Sequence, residues 1–328
     1  VAEPRLATNA TDLITVLIPT FNRKPALVRA VCAVLRQTHS GGIQVVILDD
    51  SSDGAVPRAH LNDLVQRAAR PDVEIVYHFI PERMAIGDKR NRAMNFARGR
   101  YVAHWDDDDL YADNRLARQL RQLRNNNAAL FSVLLYDKIV VIDEYEPSGT
   151  YVCDVRMENA TQMGGAYATL MYDRQAYAVH DQRYDNTSLG EEMGLVLRTL
   201  RDVNHTQVQL PPQAKYVEWA YVRHDAVTFI EFELKNFAPF LRNLTRADWP
   251  PWLAKELAAR SNDGWYRVIG SSREYISVDD ADFQQAVPSA DDSDDALDAL
   301  FEEGVDERYD LDMPRDGGGS AAGPHDEL

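Results

Sequence analysis

Four consecutive carboxylates, Asp106 to Asp109, follow the apolar run Tyr101-Val-Ala-His-Trp105 and precede Leu110-Tyr111. Adjacent like charges repel, and residues at that spacing gain no helical pairing to relieve them. Such a run is tolerated when it is fully solvated or when a cation sits among its oxygens. Hard divalent ions such as Mg2+ and Mn2+ take oxygen ligands of this kind. Two acidic pairs add to the inventory: Asp49-Asp50 closes the apolar run Ile43–Leu48, and Glu191-Glu192 follows Gly190 at the head of a helical pattern. A carboxylate within reach of a hydroxyl can serve as a general base, and the helix macrodipole favours an anion at a helix start. Lys89-Arg90-Asn91 opens another helical pattern, and a guanidinium there could bridge phosphate oxygens bidentately.

The elements that must carry these groups alternate. Leu13-Ile-Thr-Val-Leu-Ile-Pro19 reads as a buried strand, and a loop then leads to Pro25, suited to a helix start. Leu27, Val28, Val31, Val34 and Leu35 keep helical spacing. Strands at 43–48, 73–79 and 100–105 are predicted, with helices at about 57–69 and 87–98 between them. That order implies a parallel sheet with right-handed crossovers. Both clusters, 49–50 and 106–109, then fall at carboxyl ends of strands on one sheet edge, where ligands bind in open α/β sheets. A lone acidic run would pass as a solvated turn; this position favours a ligand site instead. Asp113 to Asn125 is a further helix, with Leu116, Leu120 and Leu123 on one face. Residues 128–142 are β-rich, 151–155 and 166–172 are strand candidates, and 190–201 is helical. From about 226 to 269 the pattern reads as aromatic-rich helices, with Pro250-Pro251 between two of them. After about 279 the chain is acidic, poor in aromatics and Gly/Ser-rich, which reads as disordered.

Six motifs now stand in order: Ile18-Pro-Thr-Phe-Asn-Arg23, Leu48-Asp-Asp-Ser-Ser52, Ile86-Gly-Asp-Lys-Arg-Asn91, the 101–111 stretch, Gly164-Gly165 and Leu189-Gly-Glu-Glu192. Together they resemble family 2 glycosyltransferases of the GT-A type, over about residues 13–225. The resemblance implies an α/β, GT-A-like fold with a mostly parallel sheet flanked by helices. It also implies inverting, metal-dependent transfer of a sugar from a nucleotide-sugar donor to an acceptor hydroxyl, with Mn2+ or Mg2+ as cofactor. On that basis Pro19 and Thr20 cradle base and ribose, Asp50 accepts a hydrogen bond from the base, and Arg90 faces the phosphates. Asp106 and Asp108 form a D-x-D pair, Asp108 as direct metal ligand and Asp106 on the ribose or metal. Asp107 and Asp109 are left open, one of them ordering the loop. Glu192 takes the base position by register, although relatives often carry aspartate there, and Glu191 is the second candidate. His224, in a partial match to a late family histidine, is a further metal ligand. Asp49, His104 and Trp105 read as structural, and Gly164 and Gly165 as points of close sugar approach. Two other classes stay open: a nucleotidyltransferase, which would want a Gly-rich phosphate loop after the first strand, and a non-catalytic nucleotide-sugar-binding protein.

Composition bounds the rest. With 35 Lys and Arg against 52 Asp and Glu, the net charge of −17 excludes nucleic acid as a general partner. No apolar run approaches the roughly 20 residues of a membrane span, so a glycan, lipid-linked or other hydroxyl acceptor would be met in solution or through peripheral membrane association. Two cysteines are too few for a disulfide framework, and Cys32 falls in an apolar helical pattern. No signal-peptide pattern is visible and the chain starts at Val1. The Asp-over-Glu and Arg-over-Lys bias suggests a cytoplasmic protein. The terminal His325-Asp-Glu-Leu328 and sequons at Asn9, Asn159, Asn186, Asn204 and Asn243 point instead to the endoplasmic reticulum lumen. The expected organisation is a leader at 1–12, a GT-A domain at 13–225, a helical extension at 226–278 and an acidic disordered tail at 279–328.

Overall fold

The computed structural model describes residues 12–125, 129–134, 138–143, 149–154, 166–174, 183–188, 190–200, 206–210, 219–223, 241–243, 251–253, 260–261, 264–269 and 272–276. The chain divides into two units, Val1–Ala286 and Val287–Leu328. Every described element lies in the first; the leader expected at 1–12, apart from Asp12, and the acidic tail lie outside the described residues.

The first half of the chain supplies the sheet centre. Strands β1 (Ile14–Thr20), β2 (Ile43–Asp49), β3 (Val73–Phe79) and β4 (Tyr101–His104) pair in parallel in the order β3-β2-β1-β4. All seven residues of β1 and of β2 are buried, as continuous apolar runs covered on both faces must be. On one face Ile14, Val16 and Ile18 pack with Val45 and Ile47 against helices α1 (Lys24–Leu35), α2 (Arg58–Arg67) and α4 (Arg115–Asn125). The alternate residues Leu17, Val46 and Leu48 face α3 (Ile86–Met94) and α5 (Glu191–Leu200). Cys32 is buried within α1. This is the expected α/β, GT-A-like architecture.

Beyond β4 the sheet continues with β9 (Ala166–Asp173), β6 (Ala129–Leu134) and β10 (Thr206–Leu210), and only β9 runs antiparallel. Because the chain leaves β1 toward β2 and β3 and returns to β4 on the other side, the gap between the carboxyl ends of β1 and β4 is the topological switch point. A second sheet orders β12 (Leu241–Asn243), β8 (Gly149–Asp154), β7 (Lys138–Asp143), β11 (Trp219–Arg223) and β5 (Leu110–Tyr111). Its β5–β11 pairing sets Trp219 opposite Tyr111 and so closes on the end of the acidic run.

The helical extension expected at 226–278 is corrected. Its described residues form β12, a short helical turn at 251–253, and an antiparallel sheet of β13 (Arg260–Ser261), β14 (Gly264–Ile269) and β15 (Ser272–Ile276). The reason is legible in retrospect. Trp265, Tyr266, Val268, Ile269, Tyr275 and Ile276 are aromatic or β-branched, and Gly270-Ser271 between them is hairpin-turn composition. Strands β5, β10 and β11 were likewise not expected. Among the described residues no helix is long and apolar enough to cross a membrane.

Candidate active site

The acidic run leaves β4 at the switch point, and its four side chains alternate in environment. Asp107 and Asp109 are turned in, at 1% and 3% exposure, whereas Asp106 and Asp108 keep 31% and 20% of their side-chain surface. Asp107 accepts from Thr20 Oγ1 at 2.5 Å, and Asp109 accepts from Trp219 Nε1 at 2.6 Å and the Val222 N–H at 3.2 Å. The two residues left open by the sequence thus both brace the loop, one against β1 and the other against β11. Burial pushes Asp107 up to about 6, with Arg23 opposing and Asp108 adding to the rise. Burial and the charges of Asp108 and Asp106 carry Asp109 well above the ordinary carboxylate range. Crowded carboxylates resist joint ionisation, so nearby cations carry weight.

Three arginines supply them. Arg23, at the start of α1, donates to Asp108 and lies 3.4 Å from Asp107. Arg115, wholly buried behind the run, donates to the His104 carbonyl at 2.7 Å and to Gln119 Oε1 at 3.0 Å. Its guanidinium carbon stands 4.9 Å and 4.4 Å from the ring centroids of Trp105 and Tyr111. Tyr111 Oη in turn accepts the Asp106 N–H at 3.1 Å. Arg90 is the third.

On the β2 side, Asp50 is buried and accepts from Lys89 Nζ at 2.7 Å, the Met84 N–H at 2.7 Å and Arg83 at 2.8 Å. Burial opposes its charge, but the Lys89 and Met84 hydrogen bonds, the Lys89 charge and Arg83 outweigh it and hold the carboxyl below the usual range. Lys89 also donates to the Thr20 carbonyl at 2.9 Å, clipping the ends of β1 and β2 together. Sequence reading assigned Lys89 no role; its place before Arg90 on the helix start was the available signal. Arg83 is half exposed and stacks 3.6 Å above Phe21. Pro19 and Thr20 are buried at the end of β1, beside Leu48 and Asp49 in register. Asp49 accepts from the Ser51 N–H at 2.9 Å and from Tyr77 Oη at 2.7 Å, the structural part expected of it.

Arg90 joins the two halves of the site. Its Nε donates to Glu191 Oε1 and its Nη2 to Asp106 Oδ1, each at 2.9 Å, while Nη1 is buried without a protein partner among the described residues. Burial works against the guanidinium charge, but Glu191 and Asp106 raise its pKa above the ordinary arginine value. Glu191 is carried there by the loop before α5, which docks on the start of α3. Asn91 grips both backbone groups of Tyr184 at 2.9 Å, and the Gly87 N–H meets the Thr187 carbonyl at 3.0 Å. Gly87 is needed there: a Cβ would fall 1.8 Å from the Asp185 carbonyl oxygen. Glu191 is buried, and Glu192 beside it is partly exposed. Burial, reinforced by the charge of Glu191, pushes Glu192 up to about 8. His104 is buried under Tyr184 Oη at 2.8 Å, and burial holds it well below its ordinary value, which fits a structural part. His224, Gly164 and Gly165 lie outside the described residues.

The donor set suits a hard cation. Asp106 and Asp108 present carboxylate oxygens at the rim of the switch-point cleft, and Mg2+ and Mn2+ sites commonly combine one or two carboxylates with phosphate oxygens and water. Among the described residues no three His, Cys, Asp or Glu side chains converge as an all-protein metal cage.

Comparison with known proteins adds the following. Residues 15–184 match the family model described as glycosyl transferase family 2. A Bacillus subtilis protein named as a teichuronic acid biosynthesis glycosyltransferase, TuaG, is 30% identical over 122 residues, 37% of this chain and 46% of its own. The Escherichia coli UDP-Glc:alpha-D-GlcNAc-diphosphoundecaprenol beta-1,3-glucosyltransferase WfgD is 25% identical over 140 residues, 43% of this chain and 51% of its own. The chain therefore spans about half the length of these relatives. Among solved structures, Staphylococcus aureus TarS 1–349 in complex with UDP-GlcNAc aligns with a TM-score of 0.48 at 13% identity, covering 66% of this chain and 60% of that one.

Proposed function

Since the chain belongs to glycosyl transferase family 2, we propose that it transfers a sugar from a nucleotide-sugar donor to an acceptor hydroxyl, with inversion and with a divalent cation. The observation that carries this reading is the Arg90 guanidinium, which holds Asp106 and Glu191 in one site although they stand 85 residues apart in sequence. Donor-side carboxylates and helix-start acids are thereby neighbours.

Each side chain then has work to do. Pro19, Thr20 and Asp50 form the base and ribose end of the cleft, with Arg83 and Phe21 at its exposed lip. Asp106 and Asp108 would hold Mn2+ or Mg2+, which supplies Lewis-acid neutralisation of the departing diphosphate. His224, outside the described residues, stands as a further candidate ligand on the resemblance alone. Arg90 orients Asp106 and Glu191 and offers its remaining Nη1–H to the phosphates. Glu191, paired to that arginine, is a positioning residue. Glu192, partly exposed and poised to bind a proton, is the base: it takes the hydroxyl proton as the acceptor oxygen bonds to the anomeric carbon. The bond to the nucleoside diphosphate breaks on the opposite face, leaving an inverted glycoside, a nucleoside diphosphate and protonated Glu192.

The relatives' names, one in teichuronic acid biosynthesis and one acting on a diphosphoundecaprenol-linked sugar, support a glycan or lipid-linked acceptor. A lipid-linked acceptor would bring the enzyme to a membrane surface peripherally, on the cytoplasmic side where nucleotide sugars are made. The organisation proposed is a GT-A domain over about 13–225, followed by the β-containing segment and an acidic tail after about 279. Thermal stabilisation by a panel of UDP- and GDP-sugars, with and without Mn2+, tests the donor reading. A Mn2+-dependent rise with one donor, and a product of inverted anomeric configuration by NMR, are expected. No stabilisation by any donor with the metal present would refute it.

A further inference from the structure

Arg23 was not assigned a role by its motif, yet it spans the cleft between β1 and β4. Its Nη1 donates to Asp108 Oδ2 and lies 3.4 Å from Asp107 Oδ1. Of these two carboxylates Asp107 is buried and already bound by Thr20, while Asp108 is the partly exposed one. A second arginine, Arg29, donates to the Asp108 backbone carbonyl at 3.0 Å. The chain's own cation therefore pairs with the carboxylate that would hold the metal ion.

The backbone that launches Arg23 is braced. Asn22 adopts a positive φ of 52°, its N–H donates to Ser51 Oγ at 2.7 Å, and its side-chain oxygen accepts the Ser52 N–H at 2.8 Å. The Arg23 side chain itself keeps 19% of its surface, so it can exchange partners without opening the core. An arginine pairs as well with phosphate as with carboxylate.

We propose that Arg23 is a built-in counter-cation that competes with the divalent ion for Asp108 and passes to the donor diphosphate when ion and nucleotide arrive together. It rests on the assignment of Asp108 as metal ligand. In the resting site Arg23 relieves the repulsion among Asp106, Asp107 and Asp108. A metal ion alone must displace it at the expense of that pairing, and so binds weakly. A metal ion accompanied by a diphosphate gives the displaced guanidinium a new anion, and so binds well. Arg23 is in this sense a positioning residue that couples metal and donor binding.

The test is the affinity for Mn2+ alone, read from the free-ion signal by electron paramagnetic resonance on the full chain. Removing a cation that touches the ligand carboxylate should tighten Mn2+ binding, on the order of tenfold for a partly exposed pair. Arg23→Gln is expected to show that gain, Arg23→Lys to stay near the parent, and Asp108→Asn to lose binding in either background. Arg23→Ala serves if Arg23→Gln melts early. Equal or weaker Mn2+ binding by Arg23→Gln, with Asp108→Asn still impaired, overturns the role of Arg23 and leaves Asp108 as ligand. Undiminished binding by Asp108→Asn overturns both. At saturating Mn2+ the Arg23→Gln enzyme should show a raised donor KM; an unchanged KM would overturn the handover to the diphosphate.

Discussion

Replacing Arg90 by methionine keeps much of the side-chain volume and removes the guanidinium shared by Asp106 and Glu191. The two stranded carboxylates are not equivalent. Asp106 keeps 31% of its side-chain surface and can be solvated, so its loss is worth less than about 1 kcal/mol. Glu191 keeps only 6% and would be left as a buried charge without a partner, which costs about 3–5 kcal/mol. Glu191→Gln alone should cost less, about 2 kcal/mol, because Arg90 retains Asp106. In the double variant no buried carboxylate is stranded, so its total should fall well below that of Arg90→Met, near that of Glu191→Gln alone. The expected coupling is therefore about 3–5 kcal/mol, the cost of the stranded Glu191. Urea midpoints at unchanged slope, followed by tryptophan fluorescence, measure it. Additivity within about 0.5 kcal/mol would refute the view that this guanidinium is what holds the two halves of the site together.

Other expectations concern the chemistry and its supports. Glu192→Gln should retain donor binding and lose transfer by about 10²-fold or more; near-normal turnover would remove it as base. In the folded chain Glu192 holds its proton to about pH 8, above the unfolded carboxylate value near 4.5, so its contribution to stability is present below 4.5 and is lost as pH rises to 8. Glu192→Gln should therefore flatten the fall in stability across that window, seen in melting temperatures at pH 5 and 8, and transfer by the parent should rise with pH towards 8. Asp108→Ala should abolish metal-dependent donor binding, and unchanged calorimetric affinity would refute the metal role. Gly87→Ala, whose Cβ meets the Asp185 carbonyl, should destabilise by about 1–3 kcal/mol and lower activity by shifting the loop that carries Glu191. Truncation after residue 278 retains every described strand, and a folded product by circular dichroism is expected.

The helix-and-strand alternation of the first 125 residues was readable because its signals are local. Apolar runs ended by Pro19, Asp49 and Trp105 become strands, and the leucine spacing of 116, 120 and 123 becomes one buried helix face. The segment after 226 was misread because its aromatic residues read as a helical face, whereas the β-branched and aromatic run 264–276 pairs as β14 and β15. Within the acidic run the sequence could name a D-x-D pair from the resemblance alone. Which pair faces inward depends on partners far along the chain: Thr20 takes Asp107, and Trp219 takes Asp109. The same holds for Glu191 and Glu192, adjacent and alike in sequence. Arg90 forms its ion pair with Glu191, while at Glu192 burial outweighs the Arg90 charge, so one is a buried ion-pair partner and the other a partly exposed acid with a raised pKa. Residue types and their order determined the fold class, the family resemblance and the candidate groups, because those follow from local periodicity and motif order. Tertiary structure alone decided the division of labour among identical carboxylates, because burial and ion pairing are set by residues tens of positions away.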